Sequence, residues 1–171
     1  MPSASAANRF TRSTESENKM VKLLTPDARK RVLTTAAEEA QRRGDRRIGT
    51  DHMLLGLLHE PTAAKLLGVG LEAARQASAD LDIAALAAIG FAAGVDAPLP
   101  VRSRRRPPFS SGAREVLKRS VDEARAMKSR HIETRHLLLG ILTRERPDPA
   151  AELLAAMDVD VASARERLKK A

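Results

Sequence analysis

The sequence predicts an all-α protein, and the composition and an internal repeat are the main reasons. Hydrophobic residues make up 43% of the 171-residue chain; most are Ala, Leu and Val, with three Phe and no Trp or Tyr. Ala and Leu are strong helix formers. One motif occurs twice: an aliphatic residue, a Thr, a charged residue, a His and an apolar run around a single Gly. Each copy indicates one structural unit, so we expect two pseudo-twofold-related four-helix repeats, about eight helices, packed together.

Composition divides the chain into four parts. Residues 1–22 are rich in Ser, Ala, Asn and Thr and are expected to form a disordered tail. Residues 23–89 make the first repeat and residues 109–171 the second. The segment between them, residues 90–108, is a linker rich in Pro and Arg, and its prolines exclude a regular helix.

The first repeat is expected to begin with a long helix. Thr25 is a good N-cap, Pro26 suits the first helical position, and Asp27 complements the positive end of the helix. An apolar stripe follows at helical spacing, and Gly44 is a suitable residue for the end of the helix. The stripe consists of Val32, Leu33, Ala36, Ala37 and Ala40.

The second helix of this repeat carries the first copy of the motif. Thr50 is the expected N-cap, with Asp51 in the first turn, and the apolar run behind them is wide enough for a central helix. Gly56 lies inside this helix despite a cost of roughly 1 kcal/mol relative to Ala, which close approach of another helix would explain. A short helix over 63–67 and a longer one over 71–89 complete the repeat.

The second repeat shows the same order of elements. Ser110 is the expected cap of its first helix, and an apolar stripe stands 84 positions after that of the first repeat. The motif keeps this offset: the positions equivalent to Ile48, Thr50, His52 and Gly56 are Ile132, Thr134, His136 and Gly140. The stripe residues are Val116, Leu117, Ser120, Val121 and Ala124.

Charge and residue usage exclude several kinds of protein. The chain has no Cys, which excludes disulfides, thiolate zinc sites and Cys nucleophiles. No apolar run approaches the ~18 residues of a membrane span, and the first residues lack the apolar core of a signal peptide. We therefore expect a cytoplasmic monomer without membrane contact. The formal net charge of +8 fits nucleic-acid binding, but a solvated basic surface is the favoured interpretation.

These motifs resemble the Clp repeat domain, the N-terminal domain of Clp-type AAA+ unfoldases, and most closely that of ClpC. The family's signature in each repeat is Glu-Glu-Ala or Asp-Glu-Ala at the end of a helix, then a Gly-Thr-Glu-His block and an aliphatic run. Here the first pair of motifs begins at Glu38 and Gly49, and the second begins at Asp122 and Glu133. The likeness covers nearly everything from Leu23 to Leu168 and includes both repeats in order.

The resemblance implies a non-catalytic binding module. In this family the domain docks adaptors and receives protein substrates for the hexameric unfoldase and its ClpP-type peptidase. The chain has no Gly-x-x-x-x-Gly-Lys-Ser/Thr phosphate loop, so we expect neither ATP nor another cofactor. A stand-alone copy is expected to regulate proteolysis as an adaptor, a decoy or a modulator, with a Clp-type unfoldase, its substrates or its adaptors as partners.

The resemblance also implies a ligand. Some ClpC domains recognise phosphoarginine, holding its guanidinium with the acidic residue of each Gly-Thr-Glu-His block. Those positions are Asp51, which keeps the charge, and Arg135, which reverses it and would repel a guanidinium. At most one such site is expected to survive, the second being lost or converted to anion binding. For a phosphoarginine-like group, a small molecule or a peptide, the candidate ligand-binding residues are Thr50, Asp51, Thr134 and Arg135.

Metal and catalytic interpretations of these residues are weaker. Glu133 and His136 match the Glu-x-x-His pattern of di-iron bundles, but Gly49 stands at the position equivalent to Glu133, so the second copy is missing. Thr50, Asp51 and His52 are adjacent in sequence and point in different directions on a helix, so they cannot form a triad. We therefore expect no metal and no enzyme activity.

The remaining residues of the motif are expected to be structural. His52 and His136 would tie neighbouring helix ends, and Gly56 and Gly140 would allow close packing. The alternative function is nucleic-acid binding through the cluster Arg102 to Arg106 and the basic tail, and we expect it to be less favoured than a protein partner.

Overall fold

Helices joined by short loops make up the structure, a computed structural model that describes residues 15–90 and 106–171. This confirms the predicted all-α class. The first repeat contains α1 (15–22), α2 (Pro26–Lys30), a π-helical turn (Arg31–Thr35), α3 (Ala36–Arg43), α4 (Thr50–Leu58), α5 (Pro61–Leu67) and α6 (Leu71–Ala88). The second contains α7 (Ser111–Ala126), α8 (Thr134–Ile141), α9 (Pro149–Ala156) and α10 (Val161–Lys170). No helix in the described part of the chain is both long and apolar enough to cross a bilayer.

From its N-cap Thr25 to the positive-φ residue Gly44, the first long helix (α2 through α3) contains one residue more than the equivalent segment of α7, from Ser110 to Lys128. Its cap Thr25 accepts a hydrogen bond from the backbone N–H of Ala28, and Ser110 accepts the equivalent one from Ala113 in α7. The two caps lie 85 positions apart (110 − 25), whereas residues beyond the π turn keep the offset of 84. A π turn is how an α-helix accommodates one extra residue. Val32 therefore corresponds to Leu117, and not to Val116 as the uniform offset predicts.

Two reciprocal backbone bridges join the repeats. Leu24, just before α2, pairs with Ile132, just before α8. Ile48, just before α4, pairs with Phe109, just before α7. The hydrogen bonds of these bridges measure 2.8 to 3.0 Å between N and O, and all four residues are buried. The chain leading into the long helix of each repeat is therefore held by the other repeat.

A single hydrophobic core runs through both repeats, with α4 and α8 at its centre. Every residue of α4 is buried, and so is the apolar run of α8. Gly56 faces the π turn, where a Cβ atom would lie 2.8 Å from the carbonyl oxygen of Arg31. At Gly140 a Cβ atom would lie 2.9 Å from the carbonyl oxygen of Val116 and 2.7 Å from Ser120 Oγ. Both glycines therefore mark the closest helix contact of their repeat.

Equivalent Arg–Glu pairs anchor the closing helices α6 and α10. Arg75 Nη2 lies 2.5 Å from Glu39 Oε1, and Arg165 Nη2 lies 3.1 Å from Glu123 Oε1. Burial alone would raise the pKa of Glu39, but hydrogen bonds from Arg75 and His59 outweigh it and hold this pKa below its ordinary value. Each pair ties the closing helix to the long helix of its own repeat.

Residues 15–22 are helical, although the sequence analysis places them in a disordered tail. Met20 and Val21 pack against the core, and the carboxylate of Glu17 is buried within 3.4 Å of Arg114 and 3.8 Å of Arg106. These contacts are with residues distant in sequence, so the local composition does not reveal them. The rest of the predicted tail, residues 1–14, and linker residues 91–105 lie outside the described residues.

Candidate functional site

Two clefts lie at equivalent places in the two repeats. Cleft 1, of about 900 Å³, lies between the start of α4, the start of α9 and the second half of α6. Cleft 2, of about 500 Å³, lies between the start of α8, the start of α5 and the start of α2. Because α4 corresponds to α8 and α5 to α9, each cleft is formed where the motif helix of one repeat meets the third helix of the other.

Thr50 connects the two repeats beside cleft 1. The structure makes Gly49 the N-cap of α4, so Thr50 is the first helical residue and not the cap that the sequence predicts. Its hydroxyl donates to Asp148 Oδ1 at 2.7 Å and accepts from the N–H of Ala150 at 3.2 Å. Asp148 also accepts from Arg144 Nε at 3.0 Å. The Thr50 hydroxyl is therefore committed to the start of α9.

Asp51 is already paired with a guanidinium of the same chain. Arg43 Nη1 lies 2.5 Å from Asp51 Oδ2, and Arg43 Nη2 donates to both carboxylate oxygens of Asp82 at 2.8 Å. Burial opposes the charged form of Arg43, but the charges of Asp51, Asp82 and Asp45 outweigh it and raise the pKa of this guanidinium. The Asp51 side chain is only 12% exposed, so a ligand guanidinium would have to compete with Arg43.

His52 and His136 close the first turns of their own helices. His52 Nδ1 accepts from the N–H of Gly49 at 2.9 Å, and His136 Nδ1 accepts from the N–H of Glu133 at 3.0 Å. This is the backward hydrogen bond of a capping box, made by an imidazole in place of Glu or Gln. With Nδ1 accepting, a neutral ring carries its proton on Nε2.

The two imidazoles differ at Nε2. His52 Nε2 lies within ion-pair distance of Asp45 Oδ2, at 3.0 Å, but it makes no hydrogen bond of good geometry to any described residue. In the second repeat Ser129 stands in place of Asp45, and His136 Nε2 is buried with no hydrogen bond to any described residue. Burial, followed by the nearby charge of Arg135, lowers the pKa of His136, although Glu133 and Glu123 act against this.

Cleft 2 brings Thr134 and Arg135 together with acidic residues. Glu133 is the N-cap of α8, so Thr134, like Thr50, is the first helical residue. Arg135 Nε lies 2.9 Å from Glu133 Oε2, so the two charges compensate each other. Asp27 and Glu60 also line the cleft, and Glu60 Oε2 is buried without a hydrogen bond to any described residue. No cation among the described residues forms an ion pair with this carboxylate.

Sequence reasoning missed Arg43 and Asp82 in cleft 1, Asp148 beside it, and Glu60 in cleft 2. All four residues lie outside the repeated motif, so no local pattern marks them. The Glu39–Arg75 pair could have been predicted from the sequence. Both residues lie in segments that recur in the second repeat, where Glu123 and Arg165 stand at the equivalent positions.

The structure also bears on the metal-binding and nucleic-acid-binding alternatives. Among the described residues, no group of three or more His, Asp or Glu side chains is arranged to hold a metal ion. Of the Arg cluster in the linker, Arg106 is described, and its guanidinium lies 4.8 Å from the ring centre of Phe109. Residues 102–105 lie outside the described part of the chain.

Comparison with known sequences identifies one family. The family described as the Clp repeat (R) N-terminal domain matches residues 4–69, 29–147 and 108–171. The ATP-dependent Clp protease ATP-binding subunit ClpA homolog of Guillardia theta is 36% identical over 143 residues, which are 81% of this chain and 16% of that protein. ClpC of Staphylococcus saprophyticus is 34% identical over 143 residues, covering 82% of this chain and 16% of that protein. The chain thus spans about a sixth of the length of these relatives.

Solved structures show the same fold. The N-terminal domain of the chaperone ClpD from Arabidopsis thaliana matches with a TM-score of 0.65 at 20% identity, over 86% of this chain and 92% of that one. A chain from structural work on a malarial protein secretion system matches with a TM-score of 0.64 at 18% identity, over 86% of this chain and 93% of that one. At these identities the likeness concerns the fold alone.

Proposed function

The chain belongs to the Clp repeat (R) N-terminal domain family, and on this basis we propose that it is a non-catalytic, cytoplasmic binding module of a Clp protease–chaperone system. Its partners would be a ClpC-type unfoldase, or the protein substrates and adaptors of that unfoldase. The observation that carries the proposal is the pair of equivalent clefts, each built around the N-terminus of a repeated motif helix. A chain with this architecture would act as an adaptor, a decoy or a modulator of degradation.

We propose cleft 2 as the ligand site of this module. In cleft 1 the Thr50 hydroxyl and the Asp51 carboxylate are both engaged within the chain. In cleft 2 the Thr134 hydroxyl makes no hydrogen bond to a described residue, and the Glu60 carboxylate forms no ion pair with one. Arg135 is paired with Glu133, but its side chain is 29% exposed, more than the 12% of Asp51, so it presents a cation to the same cleft.

The charges of cleft 2 suit a phosphoarginine-like group. A guanidinium would pair with Glu60 and a phosphoryl group with Arg135, since charge-assisted hydrogen bonds of both kinds are strong. This assignment differs from the expectation that Asp51 holds the guanidinium. It also gives Arg135 the anion-binding role considered for it from the sequence.

A degradation assay tests the general function. A ClpC-type unfoldase with its ClpP-type peptidase would degrade a fluorescent substrate while this chain is added in increasing amounts. We expect the rate to change with the concentration of the chain, rising for an adaptor and falling for a decoy. An unchanged rate, together with no binding to the unfoldase or the substrate in a pull-down, would refute the proposal.

Peptide binding tests the site. A labelled peptide containing phosphoarginine and the same peptide with arginine would be titrated with the chain, followed by fluorescence anisotropy. We expect Glu60→Gln and Arg135→Gln each to weaken binding of the phosphorylated peptide by roughly tenfold. Glu152→Gln in cleft 1 is the matched control and should bind normally. If Asp51→Asn were the only variant to lose binding, the ligand site would lie in cleft 1 and not in cleft 2.

A further inference from the structure

The second half of α6 is apolar on every side and lies in solvent. Residues 83–89 read Ile-Ala-Ala-Leu-Ala-Ala-Ile, and every residue from 82 to 90 is exposed. Ile83, Leu86 and Ile89 are 54%, 45% and 71% exposed, and they are three of the five exposed large hydrophobic residues in the described ranges. A helix that is hydrophobic all round is normally buried, so this surface indicates an interface.

The same helix end forms a wall of cleft 1. Leu81, Ala84 and Ala85 face the cleft from α6, and Leu153 faces it from α9, beside Pro149. A protruding ridge and a cleft therefore lie next to each other on one helix. This is the arrangement that an isologous contact needs, because each copy must present both the projecting part and the part that receives it.

The charged residues around cleft 1 favour the binding of an uncharged segment. The acidic groups of the cleft are Asp45, Asp51, Asp82 and Glu152; the basic groups are Arg43, Arg46, Arg47 and, paired with Glu152, Arg146. These four negative and four positive formal charges cancel, and the walls are mainly apolar. An acidic or basic segment would gain no net attraction here. A segment without charges would bury its apolar side chains without leaving a charge unpaired.

We propose that the end of α6 from a second copy of this chain occupies cleft 1, reciprocally, in a twofold homodimer. Residues 83–89 contain no charge, so two copies meet without local repulsion despite a net charge of +8 each. The Ala residues at positions 84, 85, 87 and 88 allow close approach of two helices, with Ile83, Leu86 and Ile89 as the knobs. The proposal departs from the monomer expected from the sequence and is independent of the proposed function.

Sedimentation of the full chain tests the dimer. We expect a monomer–dimer equilibrium that depends on protein concentration up to ~1 mM, and a shift of at least ~10-fold toward monomer in Leu86→Glu. Val161→Glu is the control, because Val161 is also an exposed large apolar residue and lies on α10, the counterpart of α6. A wild-type chain that stays monomeric, or a Leu86→Glu variant that dimerises like wild type, would overturn the proposal.

Cross-linking locates the contact. The chain has no Cys, so Leu86→Cys introduces a single thiol per copy. Diamide oxidises two thiols to one disulfide and takes up the two electrons and two protons. We expect a disulfide-linked dimer from Leu86→Cys at a protein concentration where Val161→Cys stays monomeric. Equal cross-linking of the two variants, or no disulfide-linked dimer from Leu86→Cys, would contradict the proposed contact.

Discussion

The guanidinium of Arg43 lies 2.5 Å from the carboxylate of Asp51, and it also holds both oxygens of Asp82. Arg43 stands at the end of α3, Asp51 at the start of α4 and Asp82 on α6. The Arg43 side chain thus links three helices, α3, α4 and α6, at the wall of cleft 1. The same pairing removes from cleft 1 the free carboxylate that the sequence suggests as a ligand site.

Arg43→Ala is expected to lower the free energy of unfolding by about 1–3 kcal/mol, because it leaves the Asp51 carboxylate largely buried without its cation. Urea denaturation followed by circular dichroism would measure this. Arg46→Ala removes an exposed arginine from the same cleft and should change the free energy by no more than ~0.5 kcal/mol. Equal effects of the two variants would mean that the Arg43 pairing contributes nothing specific.

Gly56→Ala and Gly140→Ala should each cost about 1–3 kcal/mol of stability, although Ala is the better helix former. The reason is steric, since the new methyl group would lie within 3.0 Å of backbone oxygen atoms of the long helix. Gly70→Ala is the control for steric contact, because no described atom lies within 4 Å of its Cβ position; as the N-cap of α6 it should lose no more than about 1 kcal/mol. Thermal melts of the three variants would compare them, and a stabilised Gly56→Ala variant would contradict the close contact.

Acid should destabilise the chain through His136. The folded-state pKa of His136 lies below its ordinary value of 6.5, so the unfolded chain binds the proton more readily. Stability is therefore complete above pH 6.5 and falls as the pH drops through 6.5 toward the folded-state pKa, by up to ~1.4 kcal/mol per pH unit.

Urea midpoints between pH 8 and pH 5 would follow this loss. His136→Gln keeps an acceptor for the N–H of Glu133 but cannot take up a proton, so its stability should fall less over the same range. His131→Gln replaces an exposed histidine and should follow the wild-type profile. Parallel profiles for wild type and His136→Gln would exclude His136 as the cause.

Arg75→Ala should destabilise the chain more than Arg165→Ala, although the two arginines are equivalent. The carboxylate of Glu39 is 3% exposed, whereas that of Glu123 is 19% exposed, so water can replace Arg165 more easily. We expect a loss of about 2–4 kcal/mol for the first variant and about 1 kcal/mol for the second. Chemical denaturation would rank them, and the reverse order would contradict the burial argument.

Local features of the fold could be predicted from the sequence, and the polar partners could not. The caps Thr25 and Ser110, the apolar stripes and the repeated motif depend on spacing within one helix, and the structure contains all of them. The cap of α4 falls one residue earlier than predicted: His52 accepts from the N–H of Gly49, and the Thr50 hydroxyl bonds to Asp148 and to the N–H of Ala150 in the other repeat. Helix α1 depends on contacts with distant residues, and the π turn reflects a one-residue difference between the repeats that a uniform offset does not report.

The same limit applies to the candidate ligand residues. The motif identifies Asp51 and Arg135 as candidate ligand residues. The ligand that each could bind depends on neighbouring side chains from other elements. Arg43 compensates Asp51, while Glu133 compensates Arg135, and Glu60 forms no ion pair within the described part of the chain. Charge at one motif position therefore predicts ligand preference poorly when the other side chains of the cleft are unknown.

Thr50 and Thr134 offer a matched test that separates stability from binding. Thr50→Val deletes a hydroxyl that joins Asp148 and the N–H of Ala150 across the repeats, so it should cost about 1–2 kcal/mol of stability. Thr134→Val deletes a hydroxyl that makes no hydrogen bond to any described residue, so stability should change by less than ~0.5 kcal/mol. Binding of a phosphoarginine peptide to cleft 2 should respond in the opposite way, weakening in Thr134→Val and remaining intact in Thr50→Val. Denaturation and anisotropy on the same two proteins would decide this, and a single variant that loses both properties would show that the clefts are not independent.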